Sequence, residues 1–578
     1  MPGLRRCHRV TLTALALLFW ACRGAPSAVQ AWRHAISSEW PLVGTARVTE
    51  AGQAVVVSGH PIASAVGRDV LRLGGTAVDA AVAVGLALAV THPEAGNVGG
   101  GGFMVFREAS GEVHALDFRE TAPARATRDM YLDADREPTE ASITGHLAAG
   151  VPGAVAGLVE AHRRFGRLPW RELVEPAVRL ARDGFVIDEY RSRSIRGDSA
   201  RLMRFAASAA SYLPTGRPPS PGDTLRQPDL ARTLEAVRDE GAAGFYRGRV
   251  ATLIVAEMSR GGGLIDQADL NGYRPVWREP IRITYRGHTI HSMPPPSSGG
   301  VTLALILNIM EGWDRLPPFG SPDLLHLEAE AMRRAFTDRN QWLGDPDVVR
   351  MPLERLLSKA YAAELRAGID ATQATPTAPF VARPEPEHTT HYSIVDSEGN
   401  AVAITTTLNN SYGSAVTVTG AGFLLNDEMD DFATAPGKPN LYGLVQGEAN
   451  AIAPGKRMLS AMTPSIVEDP AGDLLMVVGT PGGPTIITQV YHVISNVVDH
   501  GLELADAIAT PRSHHQALPD RIQLERQGFP EATVAALRAL GHEVAFRGHT
   551  GDVEAIIRVP GGWRGVSDPR RGGGGAGF

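Results

Sequence analysis

Cysteine is nearly absent from this sequence. Its 578 residues contain two, Cys7 and Cys22, both inside the first 31. Beyond that segment the chain can form no disulfide and has no thiol nucleophile. An excess of basic charge is missing too. Lys and Arg number 56 against 63 Asp and Glu, a net charge of −7, which gives no reason to expect a nucleic acid as partner. Internal apolar runs are short: "AAVAVGLALAV" (80–90) has eleven residues and reads as a buried helix, not a transmembrane segment. There is no G-x-S-x-G elbow of a serine hydrolase. The glycines of "GNVGGGGF" do not form the G-x-G-x-x-G dinucleotide fingerprint; such a run more simply marks close backbone packing or unusual φ angles. The nearest thing to a metal motif is "HTTH" (388–391). It opens a strand pattern, where His388 and His391 would point to opposite faces. No metal and no organic cofactor is implied.

What is present begins with an export signal. Arg5, Arg6 and Arg9 flank the apolar "VTLTALALLFWA" (10–21), and "AVQA" offers small residues at Val29 and Ala31 before Trp32. This is the layout of a signal peptide over residues 1–31, so the mature chain is expected to be periplasmic or secreted. Cys22 raises the alternative of a lipid anchor, although Phe19 and Trp20 before it are bulky for such a site.

The rest has the composition of a globular protein, 43% hydrophobic and 21% charged, with enough apolar material for a large core. Residues 74–106 read as helix, glycine loop and strand, and "VHALDFRETAP" (113–123) as strand and turn. From about 145 to 275 the pattern is mainly helical. "AVAGLVEAHRRFG", "WRELVEPAVRLARDGF" and "LARTLEAVRDEG" have 3.6-residue spacing, each closed by Gly. "IRITYRGHTIHS" is a strand pair before the loop "MPPPSSGG", and helices follow from 301 to 367. Residues 371–387, with four prolines and little periodicity, form a linker. The pattern then switches to alternation: "HYSIVD" and "NAVAITTTLN" flank "SEG" as a hairpin. "LLMVV" (474–478) is a strand that runs through "GTPGGP" into a helix, "TIITQVYHVISNVVDHG". The closing "RRGGGGAGF" reads as a loose tail.

The join between linker and hairpin carries Thr389 and Thr390. A threonine hydroxyl is a poor nucleophile at neutral pH and needs an adjacent base. The residue's own α-amine, freed by a cut just before it, has a pKa of about 7.7–8.0 and suits that task. A flexible linker lets both new ends separate without tearing a core. Threonine is also an ordinary strand former, so the hairpin alone does not decide between the two readings.

Longer motifs do. "TTHYSIVDSEGNAVAITTTLN", "LLNDEMDDF", "YGLVQGEANAIAPGKRMLSAMTPSIV" and "GTPGG" follow the linker. "GNVGGGGFMVF", "DFRETAP", "AAGVPGAVAGL", "MPPPSSGG" and "LGDPD" precede it, and "GVSDPRRGG" comes near the end. In this order, over nearly the whole mature chain, they resemble the γ-glutamyltranspeptidases, or glutathione hydrolases, of the N-terminal nucleophile hydrolase superfamily. The resemblance implies an α/β fold, an αββα sandwich of two stacked antiparallel sheets between helical layers. It implies a precursor that cuts itself between His388 and Thr389. The products would be a large chain, 32–388, and a small chain, 389–578, held together as a heterodimer.

It also implies roles. Thr389 is the nucleophile in self-cleavage and in turnover. Thr407 orients it. Gly482 and Gly483 are the oxyanion pair, with N–H groups ahead of a helix. Arg119 clamps the donor's α-carboxylate. Asn409, Glu428, Asp431 and Ser460 complete the polar pocket, and Tyr442 covers it. A γ-glutamyl ester on Thr389 would pass its acyl group to water or to an amino-acid or peptide amine. One position departs: the family commonly has two adjacent serines where this chain has Ser460 and Ala461. A hydrogen bond to a charged group contributes roughly 1.5–3 kcal/mol, so its loss weakens glutamyl binding about tenfold or more unless another donor fills in. Two rivals stay open. A β-lactam (glutaryl-type) acylase of the same superfamily is favoured by Ala461 and opposed by "NLYGLVQGEANA". A non-catalytic exported scaffold is opposed by the intact Thr389, Thr407, Gly482 and Gly483.

Overall fold

The structure, a computed structural model, describes residues 32–376, 389–440 and 443–578. The expected signal peptide with Cys22, the linker from residue 377 with His388, and Tyr442 lie outside the described residues. The main strands in chain order are β1 (Arg47–Ala51), β2 (Val55–Ser58), β3 (Gly101–Arg107), β4 (Val113–Asp117), β5 (Val276–Arg278), β6 (Ile281–Tyr285) and β7 (His288–Ser292). Then come β8 (Thr390–Val395), β9 (Ala401–Thr407), β10 (Ser465–Glu468), β11 (Leu474–Gly479), β12 (Glu554–Val559), β13 (Gly562–Ser567) and β14 (Gly574–Gly577). They build two seven-stranded antiparallel sheets, ordered β1-β13-β12-β11-β10-β7-β6 and β14-β2-β8-β9-β3-β4-β5.

Alternation along the strands explains the layering. Val55 and Val57 face inward, with Phe103, Val105, Ala401 and Ala403, and meet Ile466, Val477 and Ile556 of the other sheet. The intervening Val56, Met104, Val402 and Ile404 point the opposite way, into the core beneath helices Ala77–Thr91 and Trp170–Asp183. On the outer face of the first sheet, Ile290, Val467, Met476 and Val478 pack under helices Gly299–Glu311, Pro322–Trp342 and Thr485–Val498. With a period of two and both faces covered, the central strands bury side chains on both sides. β3, β8 and β9 are buried at every position. The expected αββα sandwich is what forms. The apolar 80–90 run lies within Ala77–Thr91, which is buried throughout and starts at a capping box between Thr76 and Asp79. Gly166, Gly184 and Gly241 end their helices.

Residues before and after the 388/389 bond interleave in both sheets. The β8–β9 hairpin pairs Thr390 with Thr406 and slots between β2 and β3. One expectation fails here. The closing glycine segment is not a loose tail: β14 is an edge strand, with Gly574 paired to Ser58 of β2. Glycine is required by close approach. A Cβ on Gly573 would sit 2.1 Å from Glu554 Oε1 and 2.5 Å from Ser567 Oγ. Among the described residues no helix is long and apolar enough to cross a membrane.

Candidate active site

The hairpin sets its two key hydroxyls side by side. Thr389 stands just before β8, Thr407 ends β9, and both are buried. The Thr389 hydroxyl donates to Thr407 Oγ1 at 3.3 Å. Asn409 follows with φ of 79°, a left-handed turn that returns its backbone N–H to Thr407 Oγ1 at 2.8 Å. Its Nδ2 donates to the Asp427 carbonyl at 3.0 Å. The glycine run fixes β9 from the other side. Asn97 Nδ2 donates to the Thr407 carbonyl at 2.9 Å, and a Cβ on Gly100 would lie 2.1 Å from that oxygen. Only a residue without a side chain fits there.

Around Thr389 and Thr407 a narrow cleft is lined further by Arg119, Asn409, Asp431, Ser460, Ala461, Gly483 and Arg339. Arg119 leaves the end of β4, held by its N–H to Asp117 Oδ1 at 2.9 Å and by the Tyr273 hydroxyl on its carbonyl at 2.8 Å. Its guanidinium meets Glu428 Oε2 at 2.6 Å and also pairs with Asp431. Burial lowers the Arg119 affinity for its proton, but Glu428, Asp431 and Glu120 together more than reverse this. The same burial raises the carboxyls of Glu428 and Asp431 against the pull of Arg119, and pushes Glu120 up to about 8. The cluster is a compact cation ringed by carboxyls that are reluctant to ionise.

Ser460 and Ala461 are braced by the "PPPSSGG" loop. The Ser460 N–H donates to the Pro296 carbonyl at 2.9 Å, and the Ser298 N–H returns to the Ser460 carbonyl at 2.8 Å. Ser460 Oγ accepts the Met462 N–H at 3.1 Å. Ala461 brings a methyl group to the cleft wall and no donor.

Gly482 and Gly483 have φ of 138° and 54°, values that favour glycine. They precede the helix Thr485–Val498. Their carbonyls accept the N–H groups of Thr485 and Ile486, both at 3.1 Å, while their own N–H groups donate to no group among the described residues. Free N–H groups ahead of a helix are suited to developing negative charge. The sequence reading missed what holds this turn. Gln489 Oε1 accepts from Thr480 Oγ1 and from Arg512 Nη1, each at 3.0 Å. Its Nε2 donates to Thr485 Oγ1 at 2.7 Å, and Thr485 Oγ1 donates to the Gly482 carbonyl at 2.7 Å. On its helix Gln489 is one polar residue in an amphipathic pattern, so nothing local announces it. Arg339 was missed for a similar reason: it is one of three arginines on the helix Pro322–Trp342.

The expected residues Thr389, Thr407, Arg119, Asn409, Asp431, Ser460 and Gly483 therefore share one cleft. Glu428 reaches it through Arg119, Gly482 adjoins it, and Tyr442 is outside the described residues.

The family model described as Gamma-glutamyltranspeptidase matches residues 63–578. A glutathione hydrolase proenzyme of Escherichia coli (strain K12) is 46% identical over 528 residues, covering 90% of this chain and 91% of the relative. An acylase ACY 1 proenzyme of Pseudomonas sp. (strain V22) is 40% identical over 498 residues, covering 85% and 87%. The crystal structure of a cephalosporin acylase from Bacillus halodurans superposes with a TM-score of 0.81 at 27% identity, covering 92% of this chain and 97% of that one.

Proposed function

Since the chain belongs to the γ-glutamyltranspeptidase family, matched over residues 63–578, we propose that it is a self-processing γ-glutamyl transferase and hydrolase with Thr389 as nucleophile. The observation that carries this reading is the Thr389 hydroxyl, 3.3 Å from Thr407 Oγ1, in a cleft shared with Gly483, Arg119 and Asp431. In maturation the Thr389 hydroxyl attacks the His388 carbonyl. The acyl group shifts from nitrogen to oxygen, which breaks the peptide bond and frees the Thr389 α-amine; water then hydrolyses the ester to a His388 carboxylate and the free Thr389 hydroxyl. In turnover this amine takes the hydroxyl proton as Oγ1 attacks the donor's γ-carbonyl. The oxyanion is held by the N–H groups of Gly482 and Gly483; the Thr389 α-ammonium then passes its proton to the donor's amine, whose C–N bond breaks as it leaves. Water or an amino-acid or peptide amine then takes the γ-glutamyl group from the ester. Nothing in this sequence of steps calls for a cofactor.

The cut divides an export precursor into chains 32–388 and 389–578, which the interleaved sheets would keep together. The test uses glutathione and γ-glutamyl 4-nitroanilide as donors. The purified protein releases cysteinylglycine and 4-nitroaniline, and Thr389→Ala does neither and stays uncut. A cleaved, active Thr389→Ala protein contradicts the proposal.

A second reading has one specific observation behind it. Ala461 removes a donor from the cleft wall, and an acylase is among the relatives. A faster reaction with glutaryl than with γ-glutamyl 4-nitroanilide would favour it.

A further inference from the structure

The β3–β4 hairpin gathers two carboxylates and an imidazole on one face. Its register pairs Arg107 with Val113 and Phe106 with His114, and the Glu108 N–H donates to the Glu112 carbonyl at 2.8 Å. Residues opposed across a strand pair share a face, as do residues two apart. Phe106, Glu108, Glu112 and His114 therefore project from the same side. His114 Nε2 lies 2.8 Å from Glu108 Oε1 and 3.6 Å from Glu112 Oε1. One ligand atom from each of the three falls within 4.8 Å of the other two.

The surroundings hold the imidazole and leave the carboxylates free to adjust. His114 is 8% exposed. Its ring stacks on Phe106 at 6.0 Å and packs against Phe165 at 4.8 Å and Trp277 at 6.2 Å. The side chains of Glu108 and Glu112 are 35% and 69% exposed. Among the described residues neither pairs with Lys or Arg. Arg107 turns to Glu468, at 2.7 Å, and Arg164 lies over the rings of Phe165 and Trp277. Like charges opposed across a strand pair destabilise it. The single hydrogen that Nε2 can carry serves Glu108 and leaves Glu112, at 3.6 Å, beyond hydrogen-bond reach. An ion would engage all three.

We propose that Glu108, Glu112 and His114 bind a divalent transition-metal ion of the zinc type, which clips the hairpin. One imidazole nitrogen and two carboxylate oxygens are a zinc donor set, with water completing four-coordination. Such ligands lie about 2.0–2.2 Å from zinc, so tetrahedral partners stand about 3.3 Å apart; the 2.8 and 3.6 Å separations bracket that value. The role is structural. β3 meets the catalytic hairpin at Gly101, opposite Thr407, and ends at Arg107, opposite Ala401. Its seven residues set the ion about 20 Å from the cleft. The inference is therefore independent of the acyl-transfer reading.

Zinc and cobalt(II) titrations of the untagged protein test it. Wild-type protein should take up one equivalent of zinc in equilibrium dialysis. Cobalt(II) in its place should give the visible absorption of a four-coordinate ion. Glu108→Gln with Glu112→Gln alters only partly exposed side chains, and His114→Phe keeps a ring among rings. Each variant should bind zinc about a hundredfold more weakly, since loss of even an outer-shell partner costs about 10–100-fold, and should lose the cobalt spectrum. Saturating zinc should raise the thermal midpoint of the wild type and not of the variants. Equal affinity in the wild type and the double glutamine variant places the ion elsewhere among the 18 histidines and overturns the proposal. Wild-type protein that takes up no zinc also overturns it and leaves a His–Glu ion pair only.

Discussion

The hydroxyl of Thr389 donates to the hydroxyl of Thr407 at 3.3 Å, across a hairpin whose register pairs Thr390 with Thr406. Thr407 Oγ1 also accepts the Asn409 N–H at 2.8 Å, so its position is set from both sides. If this contact aims the nucleophile, Thr407→Val lowers kcat about a hundredfold, as a small misplacement does, and slows self-cleavage. Thr407→Ser retains most of both. Steady-state kinetics and the rate of fragment appearance on a denaturing gel check this. Equal rates for the valine and serine variants would sink it.

The oxyanion turn depends on a side chain that touches no substrate. Gln489 joins Thr480, Thr485 and Arg512 at 2.7–3.0 Å. Gln489→Leu keeps the volume and removes the bonds. The expected result is a fall in kcat of tenfold or more with KM little changed, because the turn acts on charge that exists only in the transition state. A rise in KM with kcat intact would contradict this role.

His391, two residues after Thr389, is sealed between Thr405 Oγ1 at 2.8 Å and Ser393 Oγ at 3.1 Å. Burial brings its imidazole down to about 3. The unfolded chain takes up a proton near pH 6.5 and the folded one does not. Stability contributed by the neutral ring is thus complete above pH 6.5 and lost as the pH falls towards 3. The slope is about 1.4 kcal/mol per pH unit at most. His391→Asn should show a shallower loss between pH 6 and 4 in urea unfolding. A wild-type slope in that variant would place the acid sensitivity elsewhere.

The glycine segment that leads into β14 makes a stability prediction. Gly573→Ala forces a methyl group against Glu554 and Ser567 and should cost about 1–3 kcal/mol by overpacking. Gly548→Ala, with nothing within 4 Å, should be near neutral. Thermal unfolding of the two variants distinguishes them, and equal midpoints would contradict the packing argument.

Much of this was legible in the chain. Alternation gave the β8–β9 hairpin, and helical spacing with closing glycines gave the helices that end at Gly166, Gly184 and Gly241. Motif order pointed to Thr389, Thr407 and Arg119. β14 was not legible, because strand signals rest on side chains that pack, while this edge is made of residues chosen for having none. Arg339 and Gln489 were hidden because their roles are set by partners distant in sequence, such as Ser298 for Arg339 and Arg512 for Gln489. A helix pattern shows only that a polar residue is tolerated there.

Intact mass and N-terminal sequencing of the purified protein, before and after incubation at neutral pH, test the central claim most directly. The account predicts two fragments, the smaller beginning Thr-Thr-His-Tyr at residue 389. A single stable chain that nonetheless hydrolyses γ-glutamyl 4-nitroanilide would contradict it, since Thr389 would then have no free amine to act as its base.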